Sequence, residues 1–260
     1  MQNPLKISLR SIVKALVASV LPNIRSRLLS KNHDKPNDDR PFISLPTEEV
    51  FRKVYAEGVW GGSDIKADFY SGCGSHDPSV VDPYVNSVRA FLVKLSAPQV
   101  IVDLGCGDFY VGNQICDLAK EYVACDIVEE LIQRNSKLFQ KSNLRFVCLN
   151  AINDRLPEGD IVVIRQVLQH IGNEQIAKIV QKIARYKYAV ITEHLPTSVN
   201  FKPNLDKPTG PGIRLGIGSG VVLTEPPFSL ITMASSVLCE IIGYGGVIRT
   251  FLYQLKAAAD

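Results

Sequence analysis

The polar residues of this chain that could do chemistry gather just after short apolar runs. Val100-Ile-Val102 leads into Asp103-Leu-Gly-Cys-Gly107, an acid followed by two glycines spaced one residue apart. Glycines at such a place let the backbone turn tightly and approach a ligand closely, here Gly105 and Gly107 on either side of Cys106. Asp103 supplies a fixed acceptor beside that bare backbone, which suits a ligand with an amino group or hydroxyls and requires no phosphate. Tyr122-Val-Ala-Cys125 ends in Asp126, followed by Ile127, and an acid there can accept both hydroxyls of a ribose. Leu144 to Leu149 ends in Asn150-Ala151, Asp160 to Ile164 in Arg165, and Tyr188 to Thr192 in Glu193-His194.

The elements that must position these groups follow from the pattern between them. Each apolar run is short and rich in β-branched residues, as buried parallel strands are. Val111 to Lys120, Glu129 to Lys141 and Glu174 to Tyr186 read as the helices between them, and Val247 to Leu255 as a last strand. In a doubly wound α/β sheet, ligands lie outside the carboxyl ends of the strands, where these residues would meet. Upstream, Trp60-Gly-Gly62 and Tyr70-Ser-Gly-Cys-Gly-Ser75 read as an anchor and a donor-rich loop ahead of a helix that runs through Pro83 to Leu95.

Asp103-Leu-Gly-Cys-Gly107 resembles the D/E-x-G-x-G motif of the class I S-adenosylmethionine (SAM) dependent methyltransferases. The dinucleotide fingerprint G-x-G-x-x-G requires a third glycine where this chain has Tyr110. A bacterial-type subgroup carries W-G, then S-G-x-G-S, then D-x-x-C-G-D-F, matched here by Trp60-Gly61, Ser71 to Ser75 and Asp103 to Phe109. Arg165-Gln-Val-Leu-Gln-His170 is similar to the subgroup's R-D-V-L-x-H, with Gln166 in place of the acid. The resemblance implies a Rossmann-like, seven-stranded methyltransferase sheet binding SAM. Its site would comprise Trp60, Gly72, Gly74, Ser75, Asp103, Gly105, Cys106, Gly107, Asp126, Ile127, Asn150, Ala151 and Arg165.

By the same resemblance the acceptor is a small molecule or glycan bearing a hydroxyl, bound along the loop between Pro196 and Pro227. A hydroxyl is barely ionised at neutral pH, so a general base would help, and His170 and His194 are the expected candidates. Gln166 leaves no carboxylate for metal or acid–base work at its position. It also leaves open a SAM-binding protein without turnover, and an NAD-dependent oxidoreductase is disfavoured by the missing glycine.

A chain of 260 residues can bury a full core, and its 46% apolar and 21% charged residues make an ordinary globular balance. A net charge of +3 argues for no nucleic-acid partner. Six cysteines without a C-x-x-C pair are read as reduced thiols of a cytoplasmic protein, with no metal site. Residues 1–30 form a basic amphipathic helical pattern, with Lys6, Arg10 and Lys14 opposite Leu5, Leu9, Ile12 and Leu16. Peripheral contact with a membrane surface, a targeting peptide and a helix packed on its own domain all fit that pattern. Residues 31–46 read as a polar linker, and 47–260 as the methyltransferase domain, with Thr47 as a helix cap. Residues 226–248 are long enough to span a membrane, but Gly243-Tyr-Gly-Gly246 breaks the run.

Overall fold

The computed structural model describes residues 38–61 and 68–255. The pattern of residues 1–30 therefore lies outside the described residues. Seven strands form one sheet: β1 (Val100–Leu104), β2 (Glu121–Asp126), β3 (Leu144–Cys148), β4 (Ile161–Arg165), β5 (Tyr188–Leu195), β6 (Thr232–Gly243) and β7 (Gly246–Leu255). Their order is β3-β2-β1-β4-β5-β7-β6. The first five run parallel, and β7 inserts antiparallel between β5 and β6.

Both faces are covered, which explains why the central strands are nearly continuous apolar runs. On one face Val102, Leu104, Val162, Ile164 and Ile191 pack with Ile176, Ile179, Val180 and Ile183 of α4 (Asn173–Ile183). Those four occupy one stripe of the helix at i, i+3, i+4 and i+7. On the other face Ile101, Ile161, Val163 and Val190 meet Val81, Tyr84, Val85 and Val88 of α2 (Pro78–Val93). Each such aliphatic side chain contributes about 1.5–3 kcal/mol when fully buried. Two further helices, α1 (Thr47–Ala56) and α3 (Glu129–Leu138), complete the set.

The order of connection reverses between β1 and β4, so a crevice opens at their carboxyl ends. Gly105 follows β1 there, and Gln166-Val167 follow β4. A Cβ on Gly105 would lie 2.4 Å from a Val167 methyl carbon, so only glycine lets the two strand ends approach this closely.

Three expectations are corrected. Val111 to Lys120 is no α-helix but two short 3-10 turns, Gly112–Gln114 and Cys116–Leu118. Phe109 has a positive φ of 64° and turns its fully buried ring onto Tyr122, Phe139 and Phe146. A Cβ on Gly112 would meet that ring, so the backbone follows the aromatic packing and not the helical pattern. Residues 38–46 of the expected linker are packed: Phe42 is buried with Val50 and Val54, and Asp39 pairs with Lys207 and accepts from the Gly212 N–H. Thr47 is the first helical residue, Pro46 standing at the cap; the Thr47 hydroxyl instead accepts from the Gln175 amide at 2.8 Å. Residues 226–248 hold β6, and no helix among the described residues is long and apolar enough to cross a membrane.

Candidate functional site

Gly105 and Gly107 carry φ values of +77° and +55°, so the chain leaves β1 in a left-handed turn. The N–H groups of Gly105 and Cys106 both donate to the Cys125 carbonyl, fastening the turn to β2. Gly107 is held from two sides. Its N–H donates to Asp126 Oδ2 at 3.1 Å, and its carbonyl accepts from Asn135 Nδ2 at 2.7 Å. Asn135 is fully buried on α3, and nothing in its sequence context marked it as a site residue.

Two carboxyls lie beneath this turn. Asp103 is buried and accepts from the Tyr122 hydroxyl at 2.9 Å. Burial pushes its pKa up to about 7, with the Tyr122 bond and the Arg165 charge pulling the other way and Asp126 adding to the rise. Asp126 is buried at the end of β2, with Oδ1 accepting from Val128 N–H. Burial raises it too, opposed by the amides of Val128 and Gly107. The two acids thus meet as the sequence expected, on one face of the sheet and beside the glycine turn. Ile127 follows, half-buried.

The upstream loop lies over the same corner. Ser71 Oγ accepts from the Asp108 N–H at 2.9 Å, while the Ser71 N–H donates to Asp108 Oδ2 at 3.0 Å. Arg165 at the end of β4 donates to the Gly74 carbonyl and, at 3.1 Å, to Ser75 Oγ. Its guanidinium sits 5.0 Å over the Tyr84 ring. No acid pairs with it directly among the described residues, its Nε is buried without a partner, and burial pulls its pKa down. Gly74 is brought against the end of β4, where a Cβ would meet the Gln166 side chain at 2.8 Å, and Gly72 lies beside Trp60.

Other expected residues have different settings. Trp60 donates its indole N–H to the Pro211 carbonyl at 3.3 Å and packs against His170, ring centroids 5.0 Å apart. Packed on Phe51 and Tyr55 of α1, it ties that helix to the long loop. Asn150 closes its own turn, accepting from Ile152 N–H, and the Ala151 carbonyl accepts from Lys182 Nζ. The two histidines expected as bases are packing groups. His170 lies among Trp60, Phe51 and the Gly212 carbonyl, and burial with the nearby Lys207 charge pushes its pKa down to about 3. His194 faces the β6–β7 turn with Nε2 on the Gly243 carbonyl, and burial lowers it as well. Both rings are engaged with backbone carbonyls, those of Gly212 and Gly243.

Glu193, next to His194, has no exposure, and neither of its oxygens has a hydrogen-bond partner. Burial pushes its pKa up to about 8, against the Arg214 charge. Arg214, fully buried in the long loop, spends its donors on the carbonyls of Leu205, Leu168 and Ile171 and on Asn173. Cys106, Cys116, Cys125, Cys148 and Cys239 are free thiols, and no group of three or more His, Cys, Asp or Glu with metal-binding geometry occurs among the described residues.

A turn of this kind at the switch point, with acids ending β1 and β2, sits in the stretch where residues 101–187 match the family profile of a methyltransferase domain. That match covers 87 of the 260 residues. The methyltransferase fold extends beyond that match. The N-methyltransferase NodS from Bradyrhizobium japonicum WM9, solved with S-adenosyl-L-homocysteine, aligns with a TM-score of 0.56 at 11% identity, over 78% of this chain and 99% of NodS. Magnesium protoporphyrin IX methyltransferase from Synechocystis PCC 6803, solved with bound SAM, gives 0.52 at 14% identity, over 81% and 98%. Human N-acetylserotonin methyltransferase, also with SAM, gives 0.54 at 15% identity over 85% of this chain, which spans 63% of that longer one. These are likenesses of fold. Among curated proteins no sequence matches the chain.

Proposed function

We propose that the chain transfers a methyl group from SAM to a hydroxyl of a small molecule or glycan. The observation that carries this reading is the left-handed Gly105–Gly107 turn lying against two buried carboxyls, Asp103 and Asp126, at the switch point of the sheet. A dinucleotide would bring a pyrophosphate needing a helix N-terminus, whereas the chain here continues into 3-10 turns. The residues present suit SAM. Asp126 accepts the ribose hydroxyls, Ile127 packs beside the adenine, and Asn150 and Ala151 face its amine. Asp103 holds the ammonium of the methionine end, and Arg165 with Gly74 and Ser75 holds its carboxylate.

SAM supplies a methyl on a sulfonium, which leaves as a neutral thioether on attack. The protein's task is to align the acceptor in line with that methyl and exclude water, since the reaction neutralises a cation. Gln166, with a positive φ of 55° at the end of β4, turns the chain across this corner and supplies an amide where a carboxylate would interfere with a cationic methyl.

Calorimetry tests the reading: SAM and S-adenosylhomocysteine should bind and NAD should not. Tight NAD binding without SAM binding would overturn it. SAM binding with no labelled methyl transfer to any hydroxyl or amine acceptor would favour the SAM-binding protein without turnover.

The basic amphipathic pattern of residues 1–30 supports a separate proposal, peripheral contact with an anionic lipid surface. Each basic residue near such a surface adds about 1 kcal/mol. Reversing Lys6, Arg10 and Lys14 to Glu should abolish flotation of the full chain with phosphatidylserine vesicles; a wild-type chain that never floats ends that proposal.

A further inference from the structure

One cluster at the crevice has no task in the reading above. His76 Nε2 lies 2.6 Å from Asp108 Oδ2, and Asp108 immediately follows the glycine turn. The same carboxylate accepts from the N–H groups of Ser71 and Tyr110. Burial works against its ionisation, yet the bonds from His76, Ser71 and Tyr110 outweigh it and hold the acid below the usual carboxylate range. An ionised Asp108 can only accept, so Nε2 is the donor of this pair and Nδ1 is the ring nitrogen left to face a substrate. No described residue hydrogen-bonds Nδ1.

The ring is fixed from both faces. Tyr70 stacks at 4.6 Å and 22°, and Tyr110 at 4.6 Å and 30°. Burial keeps Tyr70 protonated. The neighbouring Asp77 accepts from the Tyr244 hydroxyl, leaving Asp108 as the carboxylate bonded to the imidazole. The His76 side chain retains 28% exposure, so an edge of the ring meets solvent at the rim of the crevice. The adjacent Ser75 binds Arg165, which places this rim between the glycine turn and the end of β4.

We propose that His76, oriented by Asp108, is the catalytic base of the methyl transfer and takes its proton from a sugar-type hydroxyl. The proposal rests on the methyltransferase reading. The acceptor oxygen forms a bond to the methyl carbon as the carbon–sulfur bond breaks, its electron pair staying on sulfur. The hydroxyl proton passes to His76 Nδ1, the imidazolium is stabilised by Asp108, and the proton is then released to water. A base held and charged by a neighbouring acid in this way follows the general logic of carboxylate–imidazole couples.

A purely structural reading would make the pair a latch holding the 71–76 loop on the glycine turn. His76→Gln separates the two, because the Gln amide can still donate to Asp108 but cannot take a proton. The assays are calorimetry with SAM and labelled methyl transfer to a panel of methyl glycosides and amino sugars across pH. The variant should bind SAM within about twofold of wild type while kcat falls about 10²–10⁴-fold, and the acid limb of the wild-type rate profile should vanish. A variant that keeps kcat, one that loses SAM affinity in proportion to rate, or a wild type that methylates only amines or no member of the panel would overturn the base. A wild type that binds no SAM fails the parent reading instead.

Discussion

Asp103 and Asp126 end adjacent strands, both buried and both raised in pKa by that burial. Their cost is reduced by the Tyr122 hydroxyl and by the amides of Gly107 and Val128. With Asp103 near pH 7 in the unliganded protein, a cationic ammonium and sulfonium would pull its proton off. SAM affinity should therefore rise as pH increases through about 7. Calorimetry in buffers of different ionisation enthalpy should show proton release on binding, and pH-independent affinity would remove Asp103 from the cofactor contact. Asp126 bonds the turn and, in our reading, the ribose. Asp126→Ala should cost about 1.5–3 kcal/mol of SAM affinity, measured by the same titration, and unchanged affinity would place the ribose elsewhere.

At the scale of elements, the crevice depends on how closely the ends of β1 and β4 approach. Gly105→Ala would be strained twice, by φ +77° and by the 2.4 Å approach to Val167. The expected loss is about 1–3 kcal/mol in urea unfolding. Adding Val167→Ala should recover only the steric part. Full recovery in the double variant would show that the left-handed turn itself costs little. The neighbouring 3-10 turns show how a local pattern was overridden. Val111 to Lys120 carries apolar residues at helical spacing, but Phe109 must bury among three aromatic rings, and Gly112 and Asn113 are weak helix formers.

For the whole molecule, buried titratable groups set opposing pH dependences. His170 has its pKa lowered from 6.5 to about 3, so the stability it supports is present above about 6.5 and is lost as pH falls toward 3. Glu193 has its pKa raised from 4.5 to about 8, so its contribution is complete below 4.5 and is lost as pH rises through 8. Asp103, raised to about 7, adds to the alkaline loss. Melting temperature should therefore fall on both sides of a maximum at about pH 4, where the losses from Glu193 and Asp103 begin to outweigh the gain from His170. Glu193→Gln should flatten the alkaline side by removing a charge that burial disfavours, with a gain of about 1–3 kcal/mol near pH 9. A melting curve with the wild-type alkaline slope in that variant would mean Glu193 is solvated when charged.

The sequence by itself determined the parallel strands, their order of appearance, the glycine turn and the acids at the ends of β1 and β2. Those features are local: an apolar run, a break, and a residue type fixed by its place at the strand end. It also expected the final strand at 247–255, observed as β7 (Gly246–Leu255), because the Gly243–Gly246 interruption was visible. Only the tertiary structure decided the rest, because those contacts join distant residues. His76 and Asp108 lie 32 positions apart, and Asn135 reaches Gly107 across 28. No spacing rule links such pairs. His170 and His194 carried the right chemistry in sequence, yet burial against Trp60 and against the β6–β7 turn lowers the pKa of both. Residues 38–46 read as a polar linker because their polarity was counted, whereas one buried ring, Phe42, and one ion pair, Asp39 with Lys207, fold them onto the domain. A side chain's type is written in the sequence, but its solvation and its partner are set by what folds against it.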